Sequence, residues 1–262
     1  MSKMLFAPAA VVALIMAGPA FAADLPSPAA APIVLEQPFS WTSCYAGGHV
    51  GGGWANKDFA DPVALVQDTN NGGPVTTGVT TAGIRSSGVV IGGQIGCDYQ
   101  FASNWVVGME GAASGSTLKG NATVQLPLGA PDNALVTAKT DFIPSVTARL
   151  GYAMDRVLFY AKGGVAWAGD KYSVTGTFNG TPFSYQGLET RTGWTGGGGF
   201  EWAFSRHWST FVEYDFYQFG HGAVVMCDST TIPCTPGLSP VDVKQSVQVV
   251  KVGLNFHMWS SQ

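Results

Sequence analysis

Six charged residues interrupt stretches that otherwise read as apolar or glycine-rich: Glu110, Arg149, Lys162, Glu201, Glu213 and Lys251. Lys162 is the plainest case, set in "RVLFYAKGGVAW" among Val, Phe, Tyr and Trp. A charge in an apolar core is tolerated only when paired. The chemistry these residues offer is electrostatic: carboxylates and cations of both signs, neutralising one another if the fold brings them together. The other reactive types offer less. His49, His207, His221 and His257 lie on four separate segments without metal-ligand spacing. A hydrolytic site would need His49 or His221 beside a Ser and a Glu, and no spacing selects such a set. The runs "GGHVGGG" and "GGGG" lack the following helix of a phosphate loop, so close packing within strands explains them better. No catalytic, cofactor-binding or metal-binding residue is predicted.

The elements that must carry these charges are strands. Eight segments alternate with period two: Cys44–Trp54, Gly88–Phe101, Trp105–Ser114, Asp141–Met154, Val157–Ala168, Arg191–Phe204, Trp208–Phe219 and Ser246–Phe256. The connections "ASN", "DR" and "SRH" are very short, and four others are long and rich in Gly, Asn, Thr, Pro and Asp. Short and long alternate strictly, as periplasmic turns and extracellular loops do. Each segment has one apolar face, with aromatics near its ends, and one face bearing the charges. The predicted fold is therefore all-β: an eight-stranded antiparallel transmembrane β-barrel with four long extracellular loops. Eight strands enclose a space just wide enough for side chains. The six charges are thus expected to form a mixed-sign network plugging the lumen, with Glu213 and Glu201 the leading partners of Lys162 and Glu110 next. The alternative is charges solvated in a water-filled pore.

Composition agrees. Charged residues make up 11% of the chain, against an ordinary figure of about 25%. The net charge of −4 leaves no footprint for nucleic acid. Mean hydropathy is +0.16, yet past the leader no run is long enough for a spanning helix. The first 22 residues combine Lys3, an apolar core and Ala20-Phe21-Ala22, the pattern of a signal peptide cleaved between Ala22 and Ala23. Residues 23–40 are Ala/Pro-rich and read as a flexible periplasmic leader, and 41–262 as the barrel. Export permits disulfides. Cys227 and Cys234 flank "DSTTIP" and are the leading candidates for a bridge. Cys44 and Cys97 are brought towards the periplasmic rim on the same outward face. They are read first as two small lipid-facing thiols, with a bridge as the second choice.

Several segments resemble a known family, the small eight-stranded outer-membrane proteins of alphaproteobacteria described as porin-like or opacity-like surface antigens. These are "WTSCYAGGHVGGGW", "RLGYAMDRVLFYAKGGVAW" and "GWTGGGGFEWAFSRHWSTFVEYDFY", with "AADLP" after the signal peptide. They cover most of the strands. The resemblance implies residence in the cell outer membrane, among its lipids and lipopolysaccharide, after insertion by the barrel-assembly machinery. That machinery reads a terminal aromatic, which is displaced here; Phe256 is the nearest match, followed by "HMWSSQ". The expected role is a structural surface protein supporting envelope integrity and making host or envelope contacts through its loops. A narrow porin for small solutes is the alternative, or a surface receptor for a ligand such as haem, for which His221 is the only sequence support.

Overall fold

The computed structural model describes residues 39–60, 81–102, 104–125, 133–178, 181–224, 227–228 and 241–258. Eight long strands follow one another: β1 (Ser43–Ala60), β2 (Thr81–Phe101), β3 (Trp105–Gln125), β4 (Asn133–Met154), β5 (Val157–Phe178), β6 (Thr181–Ala203), β7 (Trp208–Val224) and β8 (Val241–His257). Sequential strands pair antiparallel, β8 pairs with both β7 and β1, and the ring closes. The two-residue segment Cys227–Asp228 adds a short ladder to β6. Closure satisfies every strand edge, which a bilayer demands.

The register fixes the shape. Moving from Phe101 on β2 through successive cross-strand partners passes Trp105, Tyr152, Phe159, Phe200, Val212, Val252 and Val50. The path returns to β2 at Ile91, ten residues from its start. A stagger of that size in eight strands tilts them by about 40° to the barrel axis. At the periplasmic end β4 turns into β5 through Asp155 at φ 52°, a left-handed conformation that Asp tolerates.

Along β5 the side chains of Leu158, Tyr160, Lys162, Ala166, Ala168, Asp170, Tyr172 and Val174 all point inward and are buried. Phe159 and Val165 are about half exposed on the outside, as are Trp54, Phe142, Tyr152, Trp194 and Trp202 on other strands. These outward residues form an apolar band closed by aromatics at both levels, the exterior a bilayer requires.

The strands continue past that band. Beyond Trp54, Phe142, Trp167 and Trp194 the polarity reverses. Past a buried layer holding Lys57, Asp170 and Arg191 the inward face is apolar, with Ile84, Val136, Ala138, Val174 and Val243 in one cluster. The outward face carries Arg85, Lys119, Lys139 and Lys171, all exposed. This is how a barrel in water is built, and the reversal marks where hydrocarbon ends. Register shifts interrupt the ladders at Gly115/Leu118, Thr140/Phe142 and Phe219/Gly222. In β4 the inward residues switch from odd numbers (Ile143 to Ala153) to even ones (Ala134 to Thr140) across the bulge, as an inserted residue requires.

Candidate functional site

The lumen is filled in layers, and β5 displays their order: apolar at Leu158 and Tyr160, charged at Lys162, apolar at Ala166 and Ala168, charged at Asp170, apolar again at Tyr172 and Val174. The lowest apolar layer includes Trp41, which is 0% exposed and donates its indole N–H to the Asp155 carbonyl at 3.0 Å. Phe39 packs edge-on against Trp41 with ring centres 5.0 Å apart, just ahead of the first strand.

Above this lies the principal charge network. The Lys162 ammonium sits 2.7 Å from Glu213, 2.9 Å from Glu110 and 3.5 Å from Asp215. Lys251 bridges the same two β7 carboxylates, at 2.8 Å from Glu213 and 2.9 Å from Asp215. Arg149 binds Glu201 at 2.6 Å, lies 3.6 Å from Asp98 and 3.9 Å from Glu110, and donates to the Tyr45 hydroxyl at 2.8 Å. Its guanidinium carbon stands 4.0 Å from the Tyr160 ring centre, and Tyr160 donates to Glu213 at 2.7 Å. Glu201 also accepts from Ser209 at 2.5 Å and Asn255 at 2.9 Å, and lies 3.4 Å from His257. The glycines opposite these groups have a function: a Cβ on Gly108 would overlap the Asp98 carboxylate, and one on Gly197 the Asp215 carboxylate.

A second cluster lies above the next apolar layer, at the level where the outer face turns polar. Lys57 binds Asp170 at 2.8 Å, Thr140 donates to the same carboxylate at 2.5 Å, and Gln245 donates to Thr140 at 3.2 Å. Arg191 lies 3.8 Å from Asp170 and binds Glu189 at 2.6 Å. Lys57, Asp170 and Gln245 are each nearly or wholly buried.

The family model for an outer membrane protein beta-barrel domain matches residues 9–256. The chain belongs to this family. It is an outer-membrane barrel, and its relatives include outer-membrane immunogenic proteins: the 31 kDa outer-membrane immunogenic protein of Brucella melitensis is 30% identical over 94% of this chain and 97% of its own length, and that of Brucella suis matches equally. Among solved structures, the outer membrane protein OprG from Pseudomonas aeruginosa aligns with a TM-score of 0.43 at 14% identity, covering 84% of this chain and 98% of its own. The outer membrane protease OmpT from Escherichia coli aligns with a TM-score of 0.49 at 8% identity, covering 85% and 99%.

In this family member all six charges singled out from the sequence point into the lumen and are buried. They divide around two centres. Lys162, Lys251, Glu213 and Glu110 gather at one, and Arg149 with Glu201 at the other, joined through Glu110 and Tyr160. Glu201 is not a partner of Lys162, contrary to its place among the leading candidates. It stands two inward positions nearer the periplasm than Gly197, the register partner of Lys162, and so meets Arg149. Sequence reasoning left Asp98, Asp215, Tyr45, Tyr160 and His257 out of the network, although all share the inward parity of their strands. It also ended strands at Trp54 and Ala168 and began others at Asp141 and Ser246, which hid Lys57, Asp170, Thr140 and Gln245 and left Arg191 as the one member of the upper cluster inside a predicted strand.

Cys44 and Cys97 form a disulfide, with Cα atoms 3.9 Å apart. This corrects the preference for two separate lipid-facing thiols: the β1–β2 register sets them directly opposite each other. Non-reducing digestion and mass spectrometry should recover the peptides joined. Replacing both with Ser should lower unfolding stability by about 2–4 kcal/mol, because the bridge closes a long loop; unchanged stability would show that the ladder alone fixes the two strands. The Cys227 side chain and Cys234 lie outside the described residues, as do Ala22, the leader from Ala23 through residue 38, and the His221 side chain.

Proposed function

We propose that the protein acts as a closed structural barrel of the outer membrane, supporting the envelope and presenting its extracellular segments for surface contacts, and that it neither conducts nor catalyses. The observation carrying this reading is the layered lumen, in which three apolar clusters alternate with two ion-pair clusters along the axis. A small solute would have to part all five layers. The similarity to an outer-membrane immunogenic protein supports the surface role.

The nearest approach to a catalytic arrangement is consistent with the same reading. Ser209 hydrogen-bonds His257 Nε2 at 3.0 Å and donates to Glu201 at 2.5 Å, but Glu201 lies on the same ring nitrogen as the serine, at 3.4 Å, rather than on the opposite one, and is held by Arg149 at 2.6 Å. His49 meets Ser114 at 2.8 Å with the Gln94 amide in place of a carboxylate, and both sets are buried in the filled lumen. Insertion by the barrel-assembly machinery, with Phe256 at the end of β8 as its signal, belongs to the same proposal.

Planar-bilayer recording tests it. The purified, folded protein should give no stepwise current above the protein-free baseline. Regular steps with a defined conductance would overturn the closed-barrel reading in favour of a narrow porin.

A further inference from the structure

The chain has 13 Lys and Arg residues in all. Five of them, Lys57, Arg149, Lys162, Arg191 and Lys251, are buried in the lumen. Four more lie on one outer wall, facing away from the barrel on adjacent strands: Arg85 on β2, Lys119 on β3, Lys139 on β4 and Lys171 on β5. The three lysines are direct register partners, Lys119 opposite Lys139 and Lys139 opposite Lys171. Like charges set directly opposite across strands destabilise a sheet. One acid offsets them in part: Asp141 lies 2.6 Å from Lys139 and 2.8 Å from Lys171. Among the described residues no carboxylate lies within ion-pair reach of Arg85 or Lys119. Asp58, outward on β1 and diagonal to Arg85 across the β1–β2 ladder, is a second acid on this wall, so four cations face two anions, a local excess of two positive charges on a protein whose net charge is −4.

The wall is shaped as well as charged. A groove of roughly 450 Å³ runs between the lysines, lined by Lys119, Lys139, Lys171, Thr137, Ser173 and Gln186. Its level is set by the polarity reversal. Lys171 follows Trp167 of the aromatic band by four residues on the tilted strand, which places it about 10 Å beyond the edge of the hydrocarbon. Anions fixed at that level and against the wall are the headgroups of the outer leaflet. We infer that the Lys119–Lys139–Lys171 row, with Arg85 at its flank, is a binding site for the phosphate groups of an outer-leaflet glycolipid, lipopolysaccharide by chemical class. Lysine ammoniums take the place of the divalent cations that otherwise bridge such phosphates, and the lipid in turn relieves the repulsion among the lysines. The site does not depend on whether the lumen is closed.

The test uses the full folded protein in zwitterionic detergent, free of divalent cations, titrated with bisphosphorylated lipid A and with the same lipid stripped of its phosphates. The wild type should bind the phosphorylated lipid preferentially. Each Lys→Gln change should weaken binding by about fivefold, and Lys119→Gln, Lys139→Gln and Lys171→Gln together by on the order of a hundredfold. Lys244→Gln, which removes an outward cation elsewhere on the barrel, should leave binding unchanged. Heat-modifiable migration in gels should be the same for all variants, since none of these side chains enters the lumen. Equal binding by wild type and triple variant, or equal binding of both lipids, would overturn the site. Displacement of bound lipid by inorganic phosphate would reassign it to soluble anions and overturn the lipid assignment.

Discussion

Lys162→Met should destabilise the folded barrel by about 3–5 kcal/mol, the usual consequence of removing one partner of a buried ion pair. The loss has a specific location. Glu213 and Asp215 keep Lys251 at 2.8 and 2.9 Å. Glu110 keeps only the Tyr45 hydroxyl at 2.8 Å and the Arg149 guanidinium at 3.9 Å, and so becomes the poorly compensated charge. Adding Glu110→Gln to the Lys162 variant should therefore recover a large part of the loss, and the coupling can be read from a double-mutant cycle of urea unfolding followed by gel mobility. Conductance should stay at background, because apolar layers lie on both sides of the network. A Lys162→Met barrel as stable as the wild type would mean that water already solvates this level of the lumen.

Arg149→Leu should be at least as damaging. One guanidinium serves Glu201, Asp98 and Glu110, donates to Tyr45 and stacks on Tyr160. Its loss leaves Glu201, which is 0% exposed, with two neutral donors and His257. We expect about 5–7 kcal/mol, the ion-pair cost together with a desolvated cation–π contact of about 2 kcal/mol. Arg149→Lys should restore less than half of this. A point ammonium cannot bind a carboxylate and a hydroxyl through separate guanidinium nitrogens while stacking on an aromatic ring. Full rescue by Lys would show that only net charge matters at this position. Both variants are measured by the same unfolding assay, with wild-type barrel as the reference.

Several features of this protein were legible in the sequence because they follow from period two. The alternation of Phe159, Lys162 and Val165, and of Val212, Glu213 and Tyr214, assigns each side chain to lipid or lumen before any partner is known. The alternation of short and long connections set the strand count and direction. The reading of the glycine runs as close packing also holds, since a Cβ on Gly47 would overlap Asn255 and the Leu254 carbonyl, and one on Gly197 the Asp215 carboxylate.

The tertiary structure alone decided the pairing. Lys162 meets Glu110 rather than Glu201 because a ten-residue stagger shifts levels between strands, so charges at similar positions along their strands sit at different heights in the barrel. The strands also outran their sequence signal. That signal faded near Ser114, Asp141 and Phe219, close to the register shifts at Gly115/Leu118, Thr140/Phe142 and Phe219/Gly222. A bulge disturbs the inside–outside alternation, and past the bilayer edge the apolar face moves from outside to inside. A pattern read as lipid-facing therefore ends where the strand does not. The upper ion pairs around Asp170 and the outward lysine row lie in that hidden stretch, where water replaces lipid on the outer surface and reverses which face of the strand must be apolar.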